Sequence, residues 1–175
     1  NNLHISVKYL GEQLEDYFKD GSEKGMKIDY LWEDEPLGTI GIASELKTLK
    51  NDVLLVMNSD LLTNVDFEDM YKEFQKSNAE MMLATIPYDV NVPYAVIETE
   101  EDKVVSLVEK PTYTYYSNAG IYSLKKEVID LIPAGEHYNA TDLLEAVIAK
   151  GNKVAHYPIL GYWLDIGKPN DFAKA

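Results

Sequence analysis

The feature that most constrains the fold is the apolar run Val53–Met57, which leads into the polar residues Asn58, Ser59 and Asp60. Five consecutive apolar residues without alternation indicate a strand that is covered on both faces, as in a parallel sheet flanked by helices. In open α/β sheets, ligands bind just beyond the carboxyl ends of the strands. Asp60 is therefore expected either at a ligand site or, more simply, at the start of the turn before the next helix.

Strand and helix patterns alternate around this run, which indicates an α/β fold with a mostly parallel sheet. Thr39, Asp66 and Thr141 are each predicted to begin a helix, because short polar side chains cap helix N-termini. The predicted strands are Leu3–Tyr9, Lys27–Trp32, Val53–Met57, Met81–Ile86, Asn118–Leu124 and Val154–Tyr157, together with a hairpin of Tyr94–Glu98 and Val104–Glu109.

The predicted helices bury apolar residues at helical spacing. Three of them are Glu12–Lys19, Lys125–Ile132 and a last helix from Pro169. The helix after Thr39 is expected to bury Ile42, Ala43, Leu46 and Leu49. The helix from Asp66 is expected to bury Phe67, Met70, Tyr71 and Phe74, and the helix from Thr141 to bury Leu143, Leu144, Val147 and Ile148. At 175 residues, one domain over residues 1–175 is the default expectation.

The charge balance excludes some partners. The formal net charge is −14, which argues against nucleic acid and against anionic membranes, since both attract basic surfaces. The chain has no cysteine and no apolar stretch near the length of a membrane span. A cytoplasmic location is expected by default. All 16 basic residues are lysines, so phosphate groups would be bound by lysine, metal and backbone N–H groups rather than by a guanidinium.

Five motifs in order carry a resemblance. They are PLGTIGIASEL at 36–46, VLLVMNSD at 53–60, VEKP at 108–111, SNAGIYSL at 117–124 and GYWLDIGKPNDF at 161–172. Together they resemble the sugar-phosphate nucleotidyltransferase family, and most of all its mannose-1-phosphate guanylyltransferase-like members. The resemblance implies a Rossmann-like three-layer α/β sandwich with a mixed, mostly parallel central sheet of the nucleotide-diphospho-sugar transferase type.

The resemblance also implies an activity. Members of the family join a sugar 1-phosphate and a nucleoside triphosphate, here with GTP favoured, to give a nucleotide sugar and pyrophosphate. Asp60 and Asp165 match the two aspartates that bind Mg²⁺ in the family, and Lys110 matches a lysine that meets the phosphate of the sugar. A last expectation is geometric: Asp60 and Asp165 should face each other across one cleft, with Glu109 and Lys110 on its wall.

Further positions match residues that contact the substrates in the family. Gly38 and Thr39 match the loop that receives the base, and Glu109 and Asn118 match residues that face the sugar. Tyr94 and Ala95 stand where the family often has tyrosine and glycine, whose backbone approaches the sugar. Three of these matches have a simpler structural interpretation: Gly38 as a loop glycine, Glu109 with Lys110 as a solvated pair at the end of a hairpin strand, and Asn118 as a turn cap.

No stretch of the chain matches GxGxxG or a P-loop, whereas the family opens with a glycine-rich loop. We therefore expect that the chain is N-terminally truncated, lacking the first strand–loop–helix unit, and that it is inactive alone. Two alternatives stay open: a noncatalytic nucleotide- or sugar-binding regulatory domain, and a nucleotide-sugar-dependent glycosyltransferase. An Asp-x-Asp metal motif would favour the second, but Leu61 and Leu62 follow Asp60. A homo-oligomer is compatible with the resemblance.

Overall fold

The computed structural model describes residues 2–168 and Asp171. Its strands are β1 Asn2–Val7, β2 Lys27–Trp32, β3 Val53–Met57, β4 Leu61–Thr63, β5 Met81–Asn91, β6 Val96–Glu100, β7 Lys103–Val108, β8 Thr112–Lys125, β9 Val154–Pro158 and β10 Trp163–Asp165. Its α-helices are α1 Gly11–Phe18, α2 Phe67–Ser77 and α3 Ala140–Ala149, and 3₁₀ helices span Ser22–Lys24, Gly41–Thr48 and Lys126–Leu131. Within this part of the chain, no helix has the length and apolar character needed to cross a membrane.

Parallel and antiparallel pairings both occur. β1 and β2 are parallel, with Leu3 opposite Ile28, whereas β6 pairs with β7 and β4 pairs with β10 in antiparallel orientation. A four-stranded sheet has the order β3–β8–β5–β9. Helices lie between these strands in the sequence, so the predicted α/β class with mixed strand pairing is confirmed.

The chain divides into two compact units, and each has its own buried residues. The first comprises Asn1–Val56 and Leu124–Val154, and the second comprises Met57–Ser123 and Ala155–Ala175. The single domain predicted over residues 1–175 stays a prediction. Buried apolar side chains of the first unit include Val7, Ile28, Ile40, Leu54, Ile129, Leu143 and Val147, and those of the second include Met70, Phe74, Met81, Met82, Ile121 and Ile159.

In the first unit, two helix starts differ from their predictions. The segment after Thr39 is a 3₁₀ helix that begins at Gly41 without a side-chain cap. The cap of α3 is Asn139 rather than Thr141, and Asn139 forms a reciprocal capping box with Asp142. The apolar face of α3 is also narrower than predicted, since Leu143 and Val147 are buried but Ile148 is 56% exposed.

In the second unit, α2 begins as predicted. The Asp66 side chain accepts a hydrogen bond from the backbone N–H of Asp69 at 2.9 Å, which satisfies one of the free donors of the first turn. Met70 and Phe74 are buried, whereas Phe67 and Tyr71 are exposed. The last helix, predicted from Pro169, lies outside the described residues apart from Asp171.

Candidate functional site

The antiparallel pair β4–β10 places Asp60 and Asp165 side by side. Asp165 is the last residue of β10 and lies opposite Leu61, the first residue of β4. The backbone N–H of Ile166 donates to the carbonyl of Asp60 at 2.8 Å, which extends the ladder to Asp60. Asp60 therefore precedes a short strand, three residues beyond the end of β3, while Asp165 ends β10.

Gly167 shows that both carboxylates approach one point. A Cβ atom built on Gly167 would lie 2.8 Å from Asp60 Oδ2 and 3.1 Å from Asp165 Oδ1. These two oxygens are therefore within about 6 Å of each other, since both lie close to the same position. The Gly167 N–H also donates to Asp165 Oδ1 at 2.9 Å, which orients that side chain. The structure brings the two predicted aspartates together.

This donor set fits a hard divalent cation. Mg²⁺ prefers carboxylate oxygens and is usually held by one or two of them, with water and substrate phosphates completing the shell. Across residues 2–168 and Asp171, no group of three or more histidine, aspartate or glutamate side chains is arranged to hold a metal. A metal at Asp60 and Asp165 would thus rest on this pair, together with ligands from substrate and solvent.

Four other predicted residues of the second unit lie at one end of the β6–β7 hairpin. Tyr94 and Ala95 precede β6, and Glu109 and Lys110 follow β7. Val96 lies opposite Val108, so these four residues meet at the open end of the hairpin. All four are exposed, and Lys110 has a left-handed backbone with φ 44°.

Asn118 is tied to its own strand. Its Oδ1 accepts from the N–H of Gly120 at 2.9 Å, and its Nδ2 donates to the hydroxyl of Tyr122 at 2.8 Å. Burial raises the pKa of Tyr122, and the hydrogen bond from Asn118 acts in the opposite direction. Both of these hydrogen bonds stay within the strand of Asn118, and the predicted contact with a sugar stays a prediction.

Gly38 and Thr39, in the first unit, lie against the start of α3. Gly38 has φ +76°, and a Cβ atom there would lie 2.6 Å from the carbonyl oxygen of Tyr138. Thr39 Oγ1 accepts from the N–H of Ala140 at 2.8 Å. The prediction that Thr39 caps the helix following it in sequence is wrong, because this hydroxyl caps α3 instead. The predicted role of the loop in base binding is not affected by this contact and stays a prediction.

Sequence reasoning missed three residues that shape the aspartate pair. Gly167 leaves room for both carboxylates. Trp163 is only half-buried and donates from Nε1 to the carbonyl of Ala119 at 2.9 Å. Asn58 donates from its backbone N–H to the carbonyl of Gly120 at 2.9 Å. All three residues lie inside the motifs VLLVMNSD and GYWLDIGKPNDF, and this is the sequence feature that could have identified them.

Comparisons with known proteins agree with one another. A sequence model of the family described as nucleotidyl transferase matches residues 1–175. A mannose-1-phosphate guanylyltransferase from Mycobacterium tuberculosis is 33% identical over 97% of this chain and 49% of its own length. A UTP–glucose-1-phosphate uridylyltransferase from Synechocystis is 28% identical over the whole chain and 50% of its own length. The chain thus spans about half the length of these curated relatives.

Solved structures support the fold. HddC from Yersinia pseudotuberculosis, in a crystal structure described as a complex with GMP-PN, has a TM-score of 0.71 and 24% identity. That match covers 98% of this chain and 76% of the HddC chain. The predicted nucleotide-diphospho-sugar transferase type of fold is confirmed.

Proposed function

The chain belongs to the nucleotidyl transferase family, and we propose that it transfers a nucleotidyl group from a nucleoside triphosphate to a sugar 1-phosphate. The observation that carries the proposal is the approach of Asp60 and Asp165 to one point beside Gly167. Two carboxylates from distant parts of the chain, held together by strand pairing, are suited to a site that handles phosphates through a cation.

Mg²⁺ is the proposed cofactor, with Asp60 and Asp165 as its protein ligands. When bound, it would supply positive charge to the triphosphate. The proposed role of Lys110 is a point charge toward the phosphate of the sugar. Glu109 would accept hydrogen bonds from sugar hydroxyls, because an ionised carboxylate is purely an acceptor.

The remaining proposed contacts are made close to the backbone. Gly38 and Thr39 would lie against the base, since a glycine allows backbone to approach a flat ring closely. Tyr94, Ala95 and Asn118 would lie against the sugar. These roles come from the motifs, and the exposure of the hairpin end leaves Tyr94 and Ala95 accessible to a ligand.

The reaction we propose needs no covalent intermediate on the protein. An oxygen of the sugar phosphate forms a bond to the α-phosphorus of the triphosphate. The bond from that phosphorus to the oxygen bridging to the β-phosphate breaks, and pyrophosphate leaves with the electron pair. The protein contributes by positioning the reactants and by offsetting their negative charge.

For the substrates, we propose GTP and mannose 1-phosphate. The relative from Mycobacterium tuberculosis is named a mannose-1-phosphate guanylyltransferase, and the HddC structure is described with a guanine nucleotide analogue. The Synechocystis relative is named for UTP and glucose 1-phosphate, so pairings of base and sugar differ among these proteins. A panel of substrates is therefore part of the test.

The test combines binding and turnover. Pyrophosphate release by the full-length product of the gene is measured with GTP, UTP, ATP, CTP and dTTP, each with mannose, glucose or N-acetylglucosamine 1-phosphate. We expect the highest rate with GTP and mannose 1-phosphate, and loss of the rate in Asp165→Asn. In parallel, Mn²⁺ is used to broaden the NMR signals of bound GTP and of bound sugar phosphate.

Each outcome separates the proposal from the noncatalytic alternative. Binding of both substrates with no pyrophosphate release by the full-length product would favour a regulatory domain and overturn the proposed reaction. A full rate in Asp165→Asn would remove the metal assignment. Preference for another triphosphate or sugar would correct the proposed substrates and leave the reaction class in place.

A further inference from the structure

One short stretch of β8 contacts both segments that carry the aspartates. The carbonyl of Gly120 accepts from the backbone N–H of Asn58 at 2.9 Å, and Asn58 lies two residues before Asp60. The neighbouring carbonyl, of Ala119, accepts from Trp163 Nε1 at 2.9 Å, and Trp163 lies two residues before Asp165. Successive carbonyls of one strand therefore fix both aspartate-bearing segments.

The backbone of this stretch is in the left-handed conformation at Gly120. Gly120 has φ +71°, and a Cβ atom there would lie 2.8 Å from Asn58 Nδ2 and 3.2 Å from Leu61 Cδ1. Any larger residue at 120 would therefore push against the segment that leads to Asp60. The side chain of Asn118 supports this conformation by accepting from the Gly120 N–H at 2.9 Å.

The other end of the Asn118 amide is also fixed. Its Nδ2 donates to the hydroxyl of Tyr122 at 2.8 Å, and Tyr122 is only 4% exposed. A buried hydroxyl with a hydrogen-bond partner is a stable reference point, because an unpaired one would be costly. The hydrogen bonds thus run from the buried Tyr122 through Asn118 to the Ala119–Gly120 peptide.

We infer that the segment Asn118–Gly120 is a positioning element that sets the spacing of the Asp60 and Asp165 carboxylates. The inference rests on the proposed function, because that spacing matters only if the pair binds a cation. Mg²⁺ demands near-ideal octahedral geometry at 2.0–2.1 Å, so small shifts of either carboxylate change affinity. Loss of a group that orients a ligand typically costs ~10–100-fold in metal affinity.

Two substitutions test this positioning element. The first, Trp163→Phe, removes the indole N–H that donates to the carbonyl of Ala119 and keeps an aromatic ring in place. Its control is Trp32→Phe, because Trp32 is the other tryptophan of the chain and belongs to the other unit. Mn²⁺ serves as the probe: its binding to the chain is measured by electron paramagnetic resonance, beside unfolding in urea.

Gly120→Ala has a control that matches its backbone. Gly151 has φ +73° with no atom within 4 Å of a built Cβ, so Gly151→Ala carries the same conformational cost without the contact with Asn58. We expect Mn²⁺ affinity to fall about tenfold in Gly120→Ala and in Trp163→Phe, and to stay within about twofold of wild type in both controls. The comparison with Gly151→Ala separates a loss of spacing from a loss of stability.

The outcomes distinguish this inference from the proposed function. If Asp165→Asn abolishes Mn²⁺ binding but Trp163→Phe and Gly120→Ala bind like their controls, the positioning role is wrong and the metal site stands. If wild type binds no Mn²⁺, or Asp165→Asn binds it as well as wild type does, the metal site fails and the inference fails with it. Should Gly120→Ala not fold, Trp163→Phe against Trp32→Phe decides.

Discussion

Gly167→Ala should weaken cation binding without weakening the fold. The added methyl carbon would lie 2.8 Å from Asp60 Oδ2 and 3.1 Å from Asp165 Oδ1, whereas ordinary contact begins at 3.4 Å. Asp60 Oδ2 must therefore retreat by about 0.6 Å, and Asp165 Oδ1 by about 0.3 Å. Metal–oxygen distances are defined to within roughly 0.2 Å, so both shifts exceed that tolerance. We expect Mn²⁺ affinity to fall by at least about tenfold.

The free energy of unfolding should change little. The backbone of Gly167 lies outside the left-handed region, so alanine fits it and loses less chain entropy on folding, a gain of about 0.4–1 kcal/mol. The displaced atoms are the ends of two aspartate side chains, which can rotate away at small cost. The net change should therefore stay within about 1 kcal/mol of wild type.

The assay is Mn²⁺ titration by electron paramagnetic resonance, with urea unfolding on the same samples. Gly25→Ala is the control for Mn²⁺ affinity, since a methyl there would meet no atom within 4 Å and should leave that affinity unchanged. Because Gly25 has φ +71°, the stability of Gly25→Ala is expected to fall, and Gly167→Ala is compared with wild type in urea. Asp165→Asn gives the reference for a lost ligand. If Gly167→Ala binds Mn²⁺ as well as wild type while Asp165→Asn does not, the carboxylates do not converge as the geometry indicates, and the reasoning is refuted.

Three further changes have expected outcomes. Lys110→Ala in the full-length product should raise the apparent KM for the sugar phosphate more than that for the triphosphate, and equal rises would remove the proposed role. Thr39→Val should lower the free energy of unfolding by about 1 kcal/mol, because the Ala140 N–H loses its acceptor; Thr39→Ser should not. The hydrogen bond to Asp69 and burial raise the pKa of Tyr157 to about 12. The protonated hydroxyl is thus favoured in the fold, so its stabilisation is complete below about pH 10 and lost toward pH 12. In urea unfolding across that range, wild type should lose stability relative to Tyr157→Phe.

Patterns within one element predicted more of this structure than partners far away in sequence. The central strand was predicted as Val53–Met57, which is the range of β3, because a continuous apolar run has few other interpretations. The cap at Asp66 was also correct, since its partner is only three residues away. Thr39 was assigned to the nearest helix, whereas its hydroxyl caps a helix start 101 residues later in the chain.

The candidate site shows the same division. The motifs predicted that Asp60 and Asp165 would meet, but not how. β4 is only three residues long, Leu61–Thr63, and such a segment carries no periodic signal. The pairing of β4 with β10, which sets the two aspartates side by side, depends on contacts of about a hundred residues' separation, such as that from Tyr162 to Asn64. Local pattern has no means of showing such pairs.

The aspartate pair concentrates negative charge in a chain that is already acidic. In a protein with a net charge of −14, two carboxylates that approach one point repel each other and are held there by strand pairing and by hydrogen bonds to the backbone. Each ionised carboxylate has about four lone-pair positions, of which the Gly167 N–H uses one on Asp165. A divalent cation relieves the repulsion and would also draw a triphosphate toward an acidic surface. Since the chain has no arginine, a triphosphate could not be held by a bidentate guanidinium, and a cation on the aspartate pair would supply positive charge that lysine side chains alone would otherwise have to provide.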